Sequence, residues 1–158
     1  MSLRIVPADV ESPAARTLLT DYFAYRASAF PVPGGYSAVM PSRASFIGEA
    51  GVFLLLENGE GRAVGCGGIR MVDSPDEATV RYEVKHVWVD PAARGSGAAT
   101  LLLQELEGQA LSLGATELVL DTHHTLESAA RLYTRLGYEQ TEPYNSNPNA
   151  TRWYRKRL

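Results

Sequence analysis

Apolar positions along the chain change their period several times, and each change marks an element. Residues 3–6 form a short apolar run ended by Pro7, which predicts a first strand. Ala15, Leu18, Leu19, Tyr22 and Arg26 then recur at helical spacing, the Arg26 stem extending the apolar face. A helix capped by Asp9 or Ser12 and running toward Ala29 follows from that spacing. It cannot pass Phe30-Pro31-Val32-Pro33-Gly34-Gly35-Tyr36, where prolines remove donors and fix φ. A second short helix is expected over residues 42–50.

Residues 52–56 are continuously apolar, Asn58-Gly59 signals a turn, and 63–72 reads as the returning strand of a hairpin. Residues 79–89 have high β-propensity through Val80, Tyr82, Val84, Val87, Trp88 and Val89. A helix over about 97–113 follows, with Leu102, Leu106, Ala110 and Leu113 on one side and Gly114 closing it. Then come a buried strand over 117–121, a helix over 128–136 closed by Gly137, and final strands at 138–141 and 151–158. The order β-α-α-β-β-β-α-β-α-β-β means an α/β (α+β) domain, a mixed sheet with helices on its faces. We expect one domain over 1–158.

Composition narrows the function classes. The chain has 158 residues, 45% hydrophobic and 21% charged, as a globular domain with one core requires. A net charge of −3 gives no general attraction for nucleic acid or an anionic membrane, so neither is expected as a partner. No apolar run reaches membrane-spanning length, residues 1–5 lack a signal-peptide core, and Cys66 has no partner for a disulfide. The expected compartment is the cytoplasm, and Cys66 reads as a small buried strand residue. A homodimer is compatible with so small a domain.

The stretch Val87-Trp88-Val89-Asp90-Pro91-Ala92-Ala93-Arg94-Gly95-Ser96-Gly97-Ala98-Ala99-Thr100 carries the most chemistry. A strand enters a turn of small residues that opens a leucine-rich helix. The helix start offers unpaired N–H groups and the positive end of the macrodipole, so the turn suits an anion such as a phosphate. A Walker loop needs a lysine after its last glycine, and none follows Gly97. The dinucleotide fingerprint needs a third glycine where Thr100 stands, and belongs on a first strand–helix unit. The remaining pattern, Arg/Gln-x-x-Gly-x-Gly/Ala, is met by Arg94, Gly97 and Ala99.

With this pattern the chain resembles the GCN5-related N-acetyltransferase (GNAT) superfamily. Glu83-Val84-Lys85-His86-Val87-Trp88-Val89 is similar to the family's central strand, and Asp90-Pro91-x-x-Arg94-Gly95-x-Gly97 to its continuation. Leu118 to Thr122, Ala129-x-x-Leu132-Tyr133-x-x-Leu136-Gly137-Tyr138 and Trp153-Tyr154-x-Lys156-x-Leu158 extend the resemblance over residues 81–158. Leu126 departs from it, standing where many members carry an asparagine that contacts the coenzyme.

The resemblance implies that the sheet is mostly antiparallel, and it implies transfer of the acetyl group of acetyl-CoA to a primary amine of a small molecule or peptide. It implies that the backbone at Val87, Trp88 and Val89 pairs the pantetheine arm like an added strand, with an N–H near Val87 or Trp88 meeting the carbonyl oxygen. Arg94, Gly95, Ser96, Gly97, Ala98, Ala99 and Thr100 would then meet the diphosphate. Tyr133 matches the tyrosine that gives a proton to the coenzyme sulfur, and Glu83 matches a carboxylate used as base. Glu83 reads equally as a partner of Lys85 or of a cross-strand base. Simple alternation puts Glu83, Lys85, Val87 and Val89 on one face, unless a family bulge breaks the count. His86 is a second candidate base, with a packed or surface histidine as its other reading. His123 and His124 are adjacent rather than at metal-pair spacing, so no metal is expected. The acceptor cleft is expected from residues 24–45 and the loop before the last strand, with Arg26, Tyr36 and Tyr144 shaping it. A coenzyme A-binding sensor or partner protein without catalysis is the alternative.

Overall fold

The computed structural model describes residues 2–158, and these residues build a seven-stranded sheet with three α-helices, one following the first strand and two later in the chain. In chain order the elements are β1 (Arg4–Pro7), α1 (Pro13–Ala29), β2 (Gly51–Glu57), β3 (Ala63–Val72), β4 (Arg81–Val89), α2 (Ala98–Ser112), β5 (Glu117–Thr122), α3 (Glu127–Arg135), β6 (Glu139–Thr141) and β7 (Arg152–Arg157). The strands lie in the order β1-β2-β3-β4-β5-β7-β6, and only β4 and β5 run parallel. The mixed, mostly antiparallel sheet expected from the pattern and the resemblance together is therefore present.

Ser12 rather than Asp9 caps α1: its hydroxyl accepts from the Ala15 amide at 3.3 Å, and Pro13 fills the first helical position. The expected helix over 42–50 does not form. Only a single 3-10 turn at Arg43–Ser45 is present; Gly48 takes a left-handed φ of 58°, and side chains of the β1–α1 loop capture Arg43. The Arg43 amide donates to Glu11 and its guanidinium to Asp9. The β2–β3 hairpin closes through a five-residue loop in which the Asn58 carboxamide oxygen accepts from the Glu60 and Arg62 amides. Its left-handed residue is Gly61, at φ 77°, not Gly59.

Both faces of the sheet are covered, which explains why β2 is apolar without alternation. Leu54 and Leu56 point into the core that includes Leu102, Leu103 and Leu106 of α2. Phe53 and Leu55 point the other way, into a core with Leu18 and Leu19 of α1, Phe46, Cys66 and Trp88. Cys66 is fully buried, its thiol donating to the His86 carbonyl at 3.3 Å, and burial pushes that thiol up to about 12. It is an inert strand residue.

Two irregularities in β4 place the site. The strand pairs with β5 at only Arg81–Glu117, Tyr82–Leu118 and Glu83–Val119, after which the two diverge. On its other edge, β4 carries one extra residue between Lys85 and Trp88 where it pairs with β3. The extra residue is accommodated at His86, which adopts a left-handed φ of 59°. The bulge breaks the alternation, so Glu83 and Trp88 cannot be placed on faces by counting.

Candidate active site

Divergence of β4 and β5 leaves the β4 edge unpaired from Val84 onward, and a cleft of about 1170 Å³ opens there. Val84 to Val89 form one wall, and Leu120, Asp121 and Thr122 of β5 with Leu126 and Tyr133 form the opposite one. A second cavity of about 300 Å³ continues from it, the two sharing Val89, Arg94, Ala99 and Leu132. This smaller one is lined by Gly95, Gly97, Ala98, Thr100 and Arg135.

The turn between β4 and α2 is fixed by its own polar groups. Asp90 caps the short Pro91–Ala93 turn by accepting from the Ala92 amide at 2.9 Å, and the Ser96 hydroxyl donates to the Ala93 carbonyl at 2.7 Å. Gly95 and Gly97 have φ of 82° and 77°, conformations a side chain disfavours. A Cβ built on either glycine would meet no protein atom within 4 Å, so that side of the turn is open to a ligand. Gly97 precedes α2 with no side-chain cap, which leaves the first-turn N–H groups free to bind an anion.

Arg94 leans back over the turn, its guanidinium 4.8 Å from the Trp88 ring and donating to the Val89 carbonyl at 3.1 Å. From α3, Arg135 donates to the Thr100 hydroxyl at 3.2 Å, placing a second guanidinium at the mouth of the turn. Arg135 escaped the sequence reading, although it and Arg131, which lines the larger cleft, stand at helical spacing on α3. Of the residues expected at the coenzyme, Val87, Trp88, Val89, Arg94, Gly95, Gly97, Ala98, Ala99, Thr100 and Tyr133 line the two cavities. Ser96 does not; its hydroxyl holds the turn together.

Tyr133 sits on α3 with its ring 5.8 Å from Tyr138 and 5.9 Å from Tyr154. Its hydroxyl has no hydrogen-bond partner among the described residues. Burial pushes the phenol well above its ordinary value, so it stays a protonated donor.

Glu83 lies behind the cleft instead of in it. It is 1% exposed, and one carboxylate oxygen takes both Nε and Nη2 of Arg70 at 2.9 Å. The other accepts from the Tyr144 hydroxyl at 2.5 Å and from Asn145 at 3.4 Å. Tyr144, expected to shape the acceptor cleft, is thus drawn away from it. Besides Glu127 at the start of α3, a carboxylate that does line the cleft is Asp121, which the sequence reading missed. It accepts from Lys85 at 3.2 Å, Asn145 at 2.8 Å and Asn147 at 3.1 Å, and these donors hold it below the usual carboxylate value despite burial. Asn145 therefore bridges the two carboxylates, a link between β4 and the β6–β7 loop that no local pattern announces.

His86 is packed edge-on against Phe23 and Tyr22, and burial pushes it down to about 3. Burial keeps it neutral at physiological pH. His123 and His124 stack at 4.4 Å and turn their Nδ1 atoms to Thr125 and Thr151. The regions expected at the acceptor do meet: Arg26 and Tyr36 from one side and Asn145, Asn147 and Asn149 from the other line the same cleft.

The profile of the Acetyltransferase (GNAT) family matches residues 16–138. An uncharacterized N-acetyltransferase of Schizosaccharomyces pombe is 36% identical over 98 residues, 62% of this chain and 58% of that protein. N-acetyltransferase 8B of Homo sapiens is 34% identical over 97 residues, 61% of this chain and 43% of that protein. The matched stretch thus spans about half the length of these relatives. Among solved structures, an acetyltransferase of the GNAT family from Staphylococcus aureus aligns over 99% of both chains, with a TM-score of 0.76 and 16% identity. With the matched profile covering most of the chain, including β4, the turn and α3, the protein belongs to the Acetyltransferase (GNAT) family.

Proposed function

We propose that this protein transfers the acetyl group of acetyl-CoA to a primary amine by direct attack within a ternary complex. The observation that carries the reading is the convergence, in two adjoining cavities, of an unpaired strand edge, an open glycine turn and Tyr133. A structural neighbour of 20% identity, a phosphinothricin acetyltransferase from Sinorhizobium meliloti, was solved with acetyl-CoA.

The diphosphate is assigned to the amides of Gly95 to Thr100, with Arg94 and Arg135 adding charge-assisted donors. The bare edge of β4 from Val84 to Val89 suits an extended arm that completes its hydrogen bonding as an added strand would. Bound acetyl-CoA supplies an activated thioester; the protein's part is to orient it and manage charge. An amide of Val87 or Trp88 meets the carbonyl oxygen as negative charge develops there.

Attack requires a neutral amine, whose ordinary pKa lies near 10.4. Arg26, Arg70, Lys85, Arg94 and Arg131 line the cleft against the carboxylates of Asp121 and Glu127, so its lining carries an excess positive charge. That excess and desolvation both favour the neutral amine. We assign acceptance of the amine's proton to the Asn145-bridged pair of Asp121 and Glu83, Glu83 acting through intervening groups rather than by contact. Tyr133 is assigned to the departing sulfur, where its O–H stabilises the thiolate and passes a proton to it.

The test is thiol release from acetyl-CoA with a panel of amines, alongside calorimetric binding of acetyl-CoA. Release with at least one amine is expected. Binding without release from any amine would favour the non-catalytic coenzyme A sensor, and absence of binding would remove both readings. A cytoplasmic site of action and a homodimer remain part of the proposal, to be checked by fractionation and sedimentation.

A further inference from the structure

The cations that β3 and β4 bring to the acceptor side of the cleft each have a carboxylate. Arg70 meets Glu83 at 2.9 Å and Lys85 meets Asp121 at 3.2 Å. Arg26 differs. It is 9% exposed, lines the cleft from the last turn of α1, and has no carboxylate within ion-pair distance among the described residues.

Its protein partners are all neutral. Nη1 donates to the Tyr22 hydroxyl at 3.1 Å and Nη2 to the Asn149 carbonyl at 3.4 Å. The guanidinium lies 5.0 Å from the centre of the Tyr36 ring and 6.0 Å from that of Tyr22. A guanidinium carries five N–H groups, so these bonds leave part of the fork unused. Burying a charge without a counter-charge is costly, and buried charges are as a rule paired. The rings and the Asn149 carbonyl fix the head of Arg26 between two segments that both border the cleft. The charge is felt at the catalytic end as well: it pulls the Tyr36 and Tyr133 phenols downward, against the larger upward effect of burial.

We propose that Arg26 is a specificity-determining residue that binds a carboxylate carried by the acceptor, so that the preferred substrates are small amines bearing a carboxylate, of the amino-acid type. This rests on the acetyltransferase reading above and names its substrate class. A planar guanidinium takes both oxygens of a carboxylate at once, which fixes the acceptor's orientation and its distance from the thioester. An acceptor whose acid group is masked as a carboxamide would bring no charge to Arg26 and would leave the guanidinium buried without a counter-charge.

The test compares matched acceptors with the wild-type protein: α-, β- and γ-amino acids against their carboxamides, by thiol release at saturating acetyl-CoA. The acids are expected to exceed their amides in kcat/KM by roughly 10- to 100-fold at the best chain length, the range set by one charged hydrogen-bonded contact. In Arg26→Met, which keeps the stem and removes the charge, that ratio should collapse toward one, with Arg26→Lys intermediate. Because the wild-type ratio needs no variant, the proposal stays testable even if Arg26→Met does not fold. Equal use of acids and amides by the wild type overturns the inference and leaves the acetyltransferase reading intact. Preference for acids that survives unchanged in a folded Arg26→Met also overturns it. Release with no amine of either series, despite coenzyme binding, overturns the acetyltransferase reading itself.

Discussion

The two halves of the cleft are built on different principles. The turn from Arg94 to Thr100 offers main chain: left-handed glycines, free amides and an absence of side-chain volume, all within one short segment. The acceptor side offers side chains from distant segments, with Arg26 and Tyr36 from the region around the end of α1, Lys85 from β4, Asp121 from β5 and three asparagines from the β6–β7 loop. A site made of backbone recognises what its ligands have in common, whereas a site made of side chains recognises what distinguishes them. The first should fail when volume is added, and the second when charge or a hydrogen bond is removed.

The largest effect should come from volume on the coenzyme side. Gly97→Val is expected to weaken acetyl-CoA binding by ~100-fold or more in calorimetry, since a branched side chain enters the open turn and resists its φ of 77°. Unchanged affinity would remove the turn from the coenzyme site. Next, Tyr133→Phe should lower kcat by roughly 10- to 100-fold while the acetyl-CoA Kd stays within about twofold. Full activity in that variant would end its assignment to the sulfur.

Smaller effects separate structure from chemistry at the rear of the acceptor side. Tyr144→Phe strips Glu83 of one hydrogen bond, and should cost about 1–3 kcal/mol in denaturant unfolding. An unchanged midpoint would mean that the contact contributes nothing net. A last effect leaves neutral pH untouched and shows only on acidification. His86 is pushed down to about 3 in the fold, against about 6.5 when unfolded, so the unfolded chain binds the extra proton between those values. Stability supplied by neutral His86 is present above pH 6.5 and falls as pH drops toward 3, by up to about 1.4 kcal/mol per pH unit. Asp121, held low in the fold, loses stability in the same direction as pH falls below its unfolded value. His86→Asn tolerates the left-handed φ and should flatten the acid limb; an unaltered limb would assign it to the carboxylates instead.

Two departures from the sequence expectation have the same origin. Glu83 was legible as a candidate base because it stands at the head of a recognisable strand, yet its environment depends on Arg70 from β3 and Tyr144 from a distant loop. The 42–50 segment has helical length, but Gly48 turns left-handed and the carboxylates of Asp9 and Glu11 hold Arg43. Periodicity reports how a segment buries itself, and it is silent about side chains that arrive from elsewhere.

By itself the sequence determined the order and class of the elements, because burial on both sheet faces writes itself as long apolar runs and helical stripes. It also determined the open glycine turn, whose φ values and lack of volume are properties of consecutive residues. Only the tertiary structure decided the acceptor side. The bulge at His86, the parting of β4 from β5 after three pairs and the isolation of the Arg26 charge depend on strand pairing and on loops distant in sequence. Side-chain recognition is a sum over such non-local neighbours, whereas main-chain recognition is set where the chain turns.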